Sequence, residues 1–417
     1  MSKESAVPQA SLPVTGNTEK TRPENRAFYP ALDGLRAIAF LLVFSQHYLT
    51  FRWGWSGVNV FFVLSGFLIT GILFDSRNDE HRVRNFYVRR ALRIFPLYYG
   101  AILLVVLFNP LFHWQWSSYW LAWPLYLANY LSLISPTFSI DGSPLQLAAF
   151  GWLKPAIIPQ LTLFFGHFWS LCVEEQFYFL WPWIVFKASS RRVLIWICAV
   201  VVVLDPLLRI FAQHHAAAWG LRGDMLNWAT PFQLDSLLLG AMIALLLRGP
   251  HRDRAFYFGR LIGICIAIAV AVFFLARIVS FYPDWQSALA LSPWGLTWGV
   301  TIINLFAASV ILCVVRPAGL LYRVLCLDPL RWVGRISYGA YVFFDIFHSF
   351  YWWMAIALGS VWSFVLRHII PFHATFGLAG TLLMAWLSFE YFESKFINLK
   401  EKWTVLPEPQ PVAELRS

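Results

Sequence analysis

Four ionisable side chains stand inside two long apolar runs of this chain, where a charge needs either a function or a partner. Arg36 and His47 lie in the first run, and Glu174 and Glu175 are adjacent near the start of the fourth. A charge placed in a membrane segment costs about 2.5–3.5 kcal/mol, so each residue is a functional candidate. Imidazole exchanges a proton near neutral pH, and a neighbouring carboxylate can orient the ring and stabilise its charged form. These residue types indicate proton transfer to His47, with a glutamate as its partner.

Helical geometry relates these four residues to one another. Arg36 and His47 are eleven residues apart, which places them on one helix face and about 16 Å apart along its axis. Glu174 and Glu175 point about 100° apart, so one of them, which the sequence does not identify, is expected to face His47. Structural alternatives stay open. Arg36 could extend to lipid headgroups, His47 could be a satisfied packing residue, and a glutamate could simply pair with a buried arginine.

Arg90 and Arg93 form a basic cluster with Arg89, shortly before Pro96. Guanidinium groups bind phosphate through parallel hydrogen bonds, so this cluster is a candidate for binding a phosphate-bearing donor together with Arg36. Positive charge also retains loops on the cytoplasmic side of a membrane, and that explanation accounts for the cluster equally well.

Further polar residues in the apolar runs are candidates for lining a pocket, namely Asn59, Ser65, Tyr178 and Asp235. Packing between helices is the alternative for Asn59 and Ser65, and pairing with an arginine is the alternative for Asp235. The five cysteines show no spacing typical of a metal site. Neither a metal nor a permanently bound cofactor is therefore expected.

The composition identifies the solvent in which these residues work. Of the 417 residues, 59% are hydrophobic and only 13% are charged, whereas a soluble domain is roughly one quarter charged. The aromatic content of 18% excludes a disordered chain. The odd number of cysteines argues against a disulfide scaffold. A polar first stretch without a cleavage site predicts that there is no cleavable signal peptide.

Apolar runs of membrane-spanning length predict the elements that position the site. A spanning helix needs roughly 20 apolar residues. The chain has ten such runs, at 31–49, 57–75, 94–112, 168–187, 193–212, 230–247, 261–279, 294–315, 336–357 and 373–393. The predicted fold class is therefore all-α, a polytopic integral membrane protein with about ten transmembrane helices. A weaker run at 119–134 is interpreted as interfacial or re-entrant, although the sequence does not exclude a span.

The distribution of basic residues predicts the orientation. With the N-terminus in the cytoplasm and ten spans, 25 of the 32 Lys and Arg residues fall in cytoplasmic segments, as the positive-inside rule requires. Both termini are then cytoplasmic, and 113–167 is one long outer segment. The net charge of +10 is explained by these loops, so no nucleic-acid partner is expected. The predicted organisation is a disordered tail at 1–27, one membrane domain at 28–395 and a C-terminal tail at 396–417.

Several motifs in this order resemble the acyltransferase 3 family of polytopic membrane acyltransferases. The resemblance covers about residues 28–395, and the ten-helix layout of that family agrees with the charge distribution. Four segments carry most of it, namely Asp33 to His47, Gly57 to Ile69, Arg90 to Tyr98 and Trp169 to Tyr178, with weaker matches at Leu234 to Gly240 and Gly334 to Tyr341.

The resemblance implies transfer of an acyl group, commonly acetyl, from a cytoplasmic acyl-CoA, which is a substrate rather than a bound cofactor. The acceptor it implies is a hydroxyl of an extracytoplasmic or membrane-linked carbohydrate, or of a small molecule. It also implies catalysis by His47, donor binding or active-site ordering by Arg36, and a location in the bacterial inner membrane.

Two departures from the family pattern qualify this expectation. Some members carry an extracytoplasmic hydrolase-like domain after the membrane part, and none is expected in this chain. Family members often have a histidine where this sequence has Phe344, with Asp345 beside it and His348 one turn further on. Because Phe344 stands there, the resemblance assigns no role to a histidine at that position.

Two other classes of function are alternatives to an enzyme. One is a permease or exporter of a glycan or small solute, and the absence of an internal repeat in the sequence argues against it. The other is an inactive sensor or scaffold, and the retained Arg36, His47, Glu174 and Glu175 argue against that. Consumption of a CoA thioester separates the enzyme from both.

Overall fold

The computed structural model of the chain is built almost entirely from helices. It describes residues 29–112, 120–134, 152–153, 163–221, 226–279, 295–362 and 368–405. The predicted tail at 1–27, most of the predicted outer segment 113–167 and the end of the predicted tail 396–417 lie outside the described residues.

The described elements follow the apolar runs along the chain. The first half contains α1 Pro30–Tyr48, α2 Ser56–Asp75, α3 Arg82–Phe112, α4 Leu131–Ile134, β1 Trp152–Leu153, β2 Leu163–Phe164, α5 Trp169–Lys187 and α6 Arg191–His215. The second half contains α7 Leu234–Leu246, α8 Arg252–Val279, α9 Val300–Val315, α10 Gly319–Leu325, α11 Asp328–Arg335, α12 Ser337–Ile346, α13 His348–Val361, α14 Ile369–Ser388, α15 Ser394–Asn398 and α16 Lys400–Trp403. Single π-helical turns, Gly295–Gly299 and Phe389–Glu393, precede α9 and follow α14.

Each of the ten apolar runs coincides with a helix or with two consecutive helices, because a chain in lipid must satisfy its backbone hydrogen bonds internally. The start of α3 differs from the prediction. The third apolar run was expected to begin at residue 94, but the helix begins at Arg82 and places Arg90 and Arg93 on helical positions. Residues 120–134 form short turns and the four-residue α4 instead of a continuous helix.

Among the described residues, six helical segments are long and apolar enough to cross a membrane. The number becomes seven if α12 and α13, which are bent by 63° against each other, count as one span. The 13-residue α7 falls outside that number, as do α1 and α5, which carry the ionisable site residues. The described residues are thus predominantly helical, in agreement with an all-α integral membrane protein, and the total of ten spans stays a prediction.

Glycine allows the two central helices α2 and α7 to approach closely. A Cβ atom on Gly66 would lie 1.8 Å from the carbonyl oxygen of Leu237, and one on Gly240 would lie 1.9 Å from that of Val63. Such contacts are impossible for any larger residue, so the backbones meet only because both positions are glycine.

The bend between α12 and α13 shapes the end of the site near the C-terminus of α1. Phe344, near the end of α12, packs its ring 5.0 Å from the His47 ring, measured between centroids. His348, the first residue of α13, donates a hydrogen bond from Nε2 to the carbonyl oxygen of His47 at 3.2 Å. Both helices therefore contact the last turn of α1.

Candidate active site

A cavity lies between α1, α2, α3, α5 and α12. Three arginines line it, and we call it the arginine cavity. Arg36 comes from α1, and Arg90 and Arg93 come from α3. The other polar lining residues are Ser65, Ser170, Glu174, Glu175, Tyr178, Ser337, Tyr338 and Tyr341. The cavity therefore combines several cations with carboxylates and hydroxyl groups in an otherwise apolar helical bundle.

The three arginines differ in what neutralises them. Arg36 lies 3.7 Å from a carboxylate oxygen of Asp33 on its own helix. The guanidinium of Arg90 stacks 3.6 Å above the ring centroid of Tyr178, and its Nε lies 3.9 Å from Glu175 Oε1. Arg93 is exposed and forms no ion pair within the described part of the chain. Arg93 is thus the guanidinium with the least internal neutralisation.

The two glutamates face α2 and α3 inside the arginine cavity. Glu174 accepts a hydrogen bond from the hydroxyl of Ser65. Glu175 Oε1 and the hydroxyl of Tyr178 are buried and form no hydrogen bond within the described structure. Because buried polar groups are normally satisfied, these two atoms are available to a bound molecule.

His47 lies at the last turn of α1 and outside the residues that line the arginine cavity. Its Nδ1 is 3.0 Å from the carbonyl oxygen of Val43. A carbonyl can only accept, so Nδ1 carries the hydrogen and Nε2 holds the lone pair of the neutral ring. Nε2 lies 4.0 Å from Asp345 Oδ2, and the side chain is 31% exposed. His47 therefore presents a base nitrogen that is partly accessible.

Asp345 and His167 complete a buried cluster around this nitrogen. His167 Nδ1 lies 3.4 Å from Asp345 Oδ2, and the two side chains are only 2% and 8% exposed. His167 Nε2 donates to the carbonyl oxygen of Val342 at 3.2 Å. We refer to His47, Asp345 and His167 as the histidine–aspartate cluster.

A thin aromatic layer separates the histidine–aspartate cluster from the arginine cavity. Tyr341 lines the cavity, its hydroxyl lies 2.6 Å from Ser170 Oγ, and its ring centroid is 5.6 Å from that of His167. The ring of Phe344 lies 5.5 Å from Tyr341 on one side and 5.0 Å from His47 on the other, between centroids. The two polar regions are therefore neighbours.

The structure gathers seven of the predicted residues around the arginine cavity, namely Arg36, Ser65, Arg90, Arg93, Glu174, Glu175 and Tyr178. It places Asp345, instead of either glutamate, within ion-pair distance of His47. The reason is that the glutamates of α5 turn towards Ser65 and Arg90, while α12 packs against the end of α1.

The sequence reasoning missed Asp345 and His167 as partners of His47. A signal for Asp345 existed, because it is an ionisable residue inside an apolar run and carries the same insertion cost as Glu174. His167 directly precedes the fourth run and gave no comparable signal.

Asn59 and Asp235, which were expected to line the pocket, lie in a separate buried cluster. Asp235 accepts two hydrogen bonds from Arg209, at 3.0 and 2.7 Å, and one from Asn304 at 3.1 Å. Asn59 donates to Asn304 Oδ1 at 3.0 Å. Pairing with an arginine, the alternative for Asp235, is what the structure shows, and the cluster joins α2, α6, α7 and α9.

The fold and the site together define a polytopic membrane protein with a basic cavity beside a histidine–carboxylate cluster. Residues 29–390 match the model of the acyltransferase domain family, and the chain belongs to that family.

Relatives of known name are similar over most of this chain. It is 26% identical over 403 residues to the peptidoglycan O-acetyltransferase OatA of Listeria monocytogenes, which covers 90% of this chain and 57% of the relative. It is 27% identical over 386 residues to YrhL of Bacillus subtilis, provisionally named for the same activity, covering 89% and 55%. The chain therefore spans little more than half the length of these relatives. No solved structure matches the chain significantly.

Proposed function

We propose that the protein is a membrane O-acyltransferase that moves an acyl group, commonly acetyl, from a cytoplasmic acyl-CoA to a carbohydrate hydroxyl. The observation that carries the proposal is the arginine cavity lying one aromatic layer from the lone-pair nitrogen of His47. The names of the relatives support acetyl as the group and an envelope carbohydrate as the acceptor. A small-molecule hydroxyl is the other acceptor class, and the bacterial inner membrane is the proposed location.

The arginine cavity is the proposed site for the phosphates of CoA. Arg93 is exposed and forms no ion pair with the residues that the structure describes, and Arg36 and Arg90 add positive charge beside it. Guanidinium groups match phosphate oxygens in geometry and charge. The bias of basic residues towards one side of the membrane supports a cavity that is entered from the cytoplasm.

The acyl group would then lie near His47. Arg36 and His47 are eleven residues apart on one helix, which corresponds to about 16 Å along the axis. The flexible pantetheine arm between the phosphates and the thioester can extend over such a distance. It would follow α1 past Tyr341 and Phe344, so that the thioester leaves the basic region and reaches the histidine–aspartate cluster.

His47 would act as a general base. Nε2 takes the proton of the acceptor hydroxyl while the hydroxyl oxygen attacks the thioester carbonyl, and the departing thiolate takes that proton. In a second route Nε2 attacks the thioester itself and forms an acyl-imidazole, which the hydroxyl then attacks. Glu174 and Glu175 would act on the donor side, where Glu175 positions Arg90.

Thiol release from acetyl-CoA by the purified chain in proteoliposomes tests the proposal. An envelope-carbohydrate extract is sealed on the side opposite the donor, and wild type is compared with His47→Gln. We expect extract-stimulated release that falls by about 10²–10⁴-fold in the variant, the usual contribution of a general base.

His215→Gln is the matched control. His215 also lies in the last turn of a helix and also bonds through Nδ1 to a carbonyl four residues earlier, that of Phe211 at 2.8 Å. Its described ring contacts are with Phe211, His214 and Trp219, none of which belongs to the cluster. This variant should retain full activity. Full activity of His47→Gln would exclude the mechanism, and a wild type that binds CoA but consumes none with any acceptor would favour transport without acyl transfer.

A further inference from the structure

One carboxylate oxygen faces two imidazole rings in the histidine–aspartate cluster. Asp345 Oδ2 lies 3.4 Å from His167 Nδ1 and 4.0 Å from His47 Nε2. Asp345 and His167 are almost fully buried, whereas His47 is partly open. Charges at such distances interact strongly when water is excluded.

Hydrogen bonds to backbone carbonyls outside the histidine–aspartate cluster determine how many protons the cluster holds. The carbonyl oxygens of Val43 and Val342 can only accept, so His47 Nδ1 and His167 Nε2 each carry a hydrogen. The nitrogen that each ring turns towards Asp345 is therefore the one that gains a proton only when the ring becomes charged. Without an added proton, lone pairs would face a buried carboxylate oxygen, which is repulsive. The closer pair, His167 and Asp345, is stable when it shares one proton.

This shared proton affects His47. While His167 neutralises Asp345, the carboxylate attracts little further positive charge, and His47 Nε2 keeps its lone pair between turnovers. When His47 takes a proton during transfer, two charged rings compete for one carboxylate. The second proton is consequently held weakly and passes readily to a thiolate.

We propose that Asp345 and His167 are positioning residues that set the protonation state of His47. Asp345 stabilises the proton on His47, and His167 limits that stabilisation by occupying the same oxygen. The proposal rests on the proposed function, because the proton in question is the one taken from the acceptor hydroxyl. The hydroxyl oxygen forms the ester bond as the C–S bond of the thioester breaks. The thiolate leaves with the proton from His47 Nε2, so the histidine–aspartate cluster returns to its starting protonation state.

Other titratable groups near Asp345 are engaged elsewhere. His348 donates through Nε2 to the carbonyl oxygen of His47, and Tyr48 donates to the carbonyl oxygen of Phe344 at 2.6 Å. The hydroxyl of Tyr341 lies 2.6 Å from Ser170. Within the described residues, His47 and His167 are thus the imidazoles within ion-pair distance of Asp345, and His348 acts on Asp345 from further away.

Carbethoxylation of His47 by diethyl pyrocarbonate, followed by peptide mass spectrometry between pH 5 and 8, tests the proposal on the full chain. The reagent modifies only an uncharged imidazole nitrogen, so the pH of half-maximal labelling reports the protonation of His47. In Asp345→Asn this pH should fall by about one unit, and in His167→Gln it should rise by about one unit. A charge within 4–6 Å typically produces a shift of about this size.

His373→Gln is the control, since His373 is also buried and donates through Nε2 to a backbone carbonyl, that of His348 at 3.3 Å. It should leave the labelling of His47 unchanged. His167→Gln keeps a donor for Val342 and decides the question even if Asp345→Asn does not fold. Unchanged labelling in His167→Gln, or a shift towards lower pH, would overturn the proposal.

The labelling result is independent of activity. A wild type that releases no thiol would therefore overturn the proposed function without touching this test. If the enzyme is active, the acidic limb of its pH–rate profile should move in the same direction as the labelling in each variant. An acidic limb that stays in place while labelling shifts would show that His47 does not carry the transferred proton.

Discussion

Arg36, Arg90 and Arg93 share one cavity, but their immediate surroundings give them different roles. Arg90 is held between the ring of Tyr178 and Glu175, which makes it a fixed part of the wall. Arg36 is partly neutralised by Asp33. Arg93 is exposed and forms no ion pair in the described part of the chain. The binding of a ligand phosphate should therefore depend most on Arg93.

Arg93→Gln should raise the KM for acetyl-CoA by about 10–100-fold with little change in kcat. This corresponds to losing one charge-assisted hydrogen bond to a phosphate. Initial rates of thiol release at varied donor concentration measure it. Arg84→Gln is the matched control, because Arg84 is exposed on the same helix but does not line the cavity. An unchanged KM in Arg93→Gln would exclude Arg93 from donor binding.

At the scale of helices, the crossing of α2 and α7 holds the centre of the bundle together. Ser65, which bonds to Glu174, is adjacent to Gly66 at this crossing. The position of the arginine cavity therefore depends on how closely these two helices meet.

Gly66→Ala should destabilise the protein by about 1–3 kcal/mol, the usual cost of overpacking. The added Cβ would lie 1.8 Å from the carbonyl oxygen of Leu237, so the helices must move apart. The thermal midpoint of unfolding, detected by fluorescence on a size-exclusion column, measures the change in stability. Gly100→Ala is the control, since its Cβ would make an ordinary 3.5 Å contact with Phe392. Equal stability of the two variants would show that α2 and α7 do not pack as described.

The buried ionic cluster is a second link between helices. Arg209 and Asp235 are almost fully buried and bonded at 2.7 Å, and Asp205 lies 3.6 Å from the same guanidinium. Removing Asp235 therefore takes away the two direct hydrogen bonds and leaves a weaker carboxylate contact. Asp235→Ala should destabilise the protein by about 1.5–3 kcal/mol, the usual contribution of hydrogen bonds to a charged group. Asp253→Ala removes an exposed partner of Arg316 and should cost much less. Similar thermal midpoints for the two variants would contradict a structural role for Asp235.

At the scale of the whole molecule, the arginine cavity is useful only if it faces the compartment that contains acyl-CoA. The turn between α2 and α3 and the segment after α6 belong to opposite sides in the predicted topology. Glu80 in the first and Ala218 in the second are both exposed.

Single cysteines at these two positions, in a chain whose native cysteines are replaced, test the orientation. We expect an impermeant maleimide to label Ala218→Cys in intact spheroplasts and Glu80→Cys only after permeabilisation. The reverse pattern would place the arginine cavity on the outer side and would exclude a cytoplasmic donor.

The sequence by itself determined the helices and the candidate charges. Apolar runs of about 20 residues form helices because lipid offers the backbone no other hydrogen-bond partner, and this is a local property of the chain. A charge within such a run is also visible locally, as Arg36, His47 and Glu174 were. The early start of α3 was missed because its basic first turns interrupt the apolar pattern used to detect a span.

Only the tertiary structure decided which charges meet. Glu174 and Asp345 carry the same insertion cost, but the sequence pointed to a glutamate of the fourth run as the partner of His47. Asp345 is the carboxylate beside His47 because α12 packs against the end of α1, while the glutamates of α5 face Ser65 and Arg90. Asp235 likewise pairs with Arg209 because α7 packs against α6. Ionic partners in a membrane protein are selected by which helices are neighbours, and a linear pattern of residues does not contain that information.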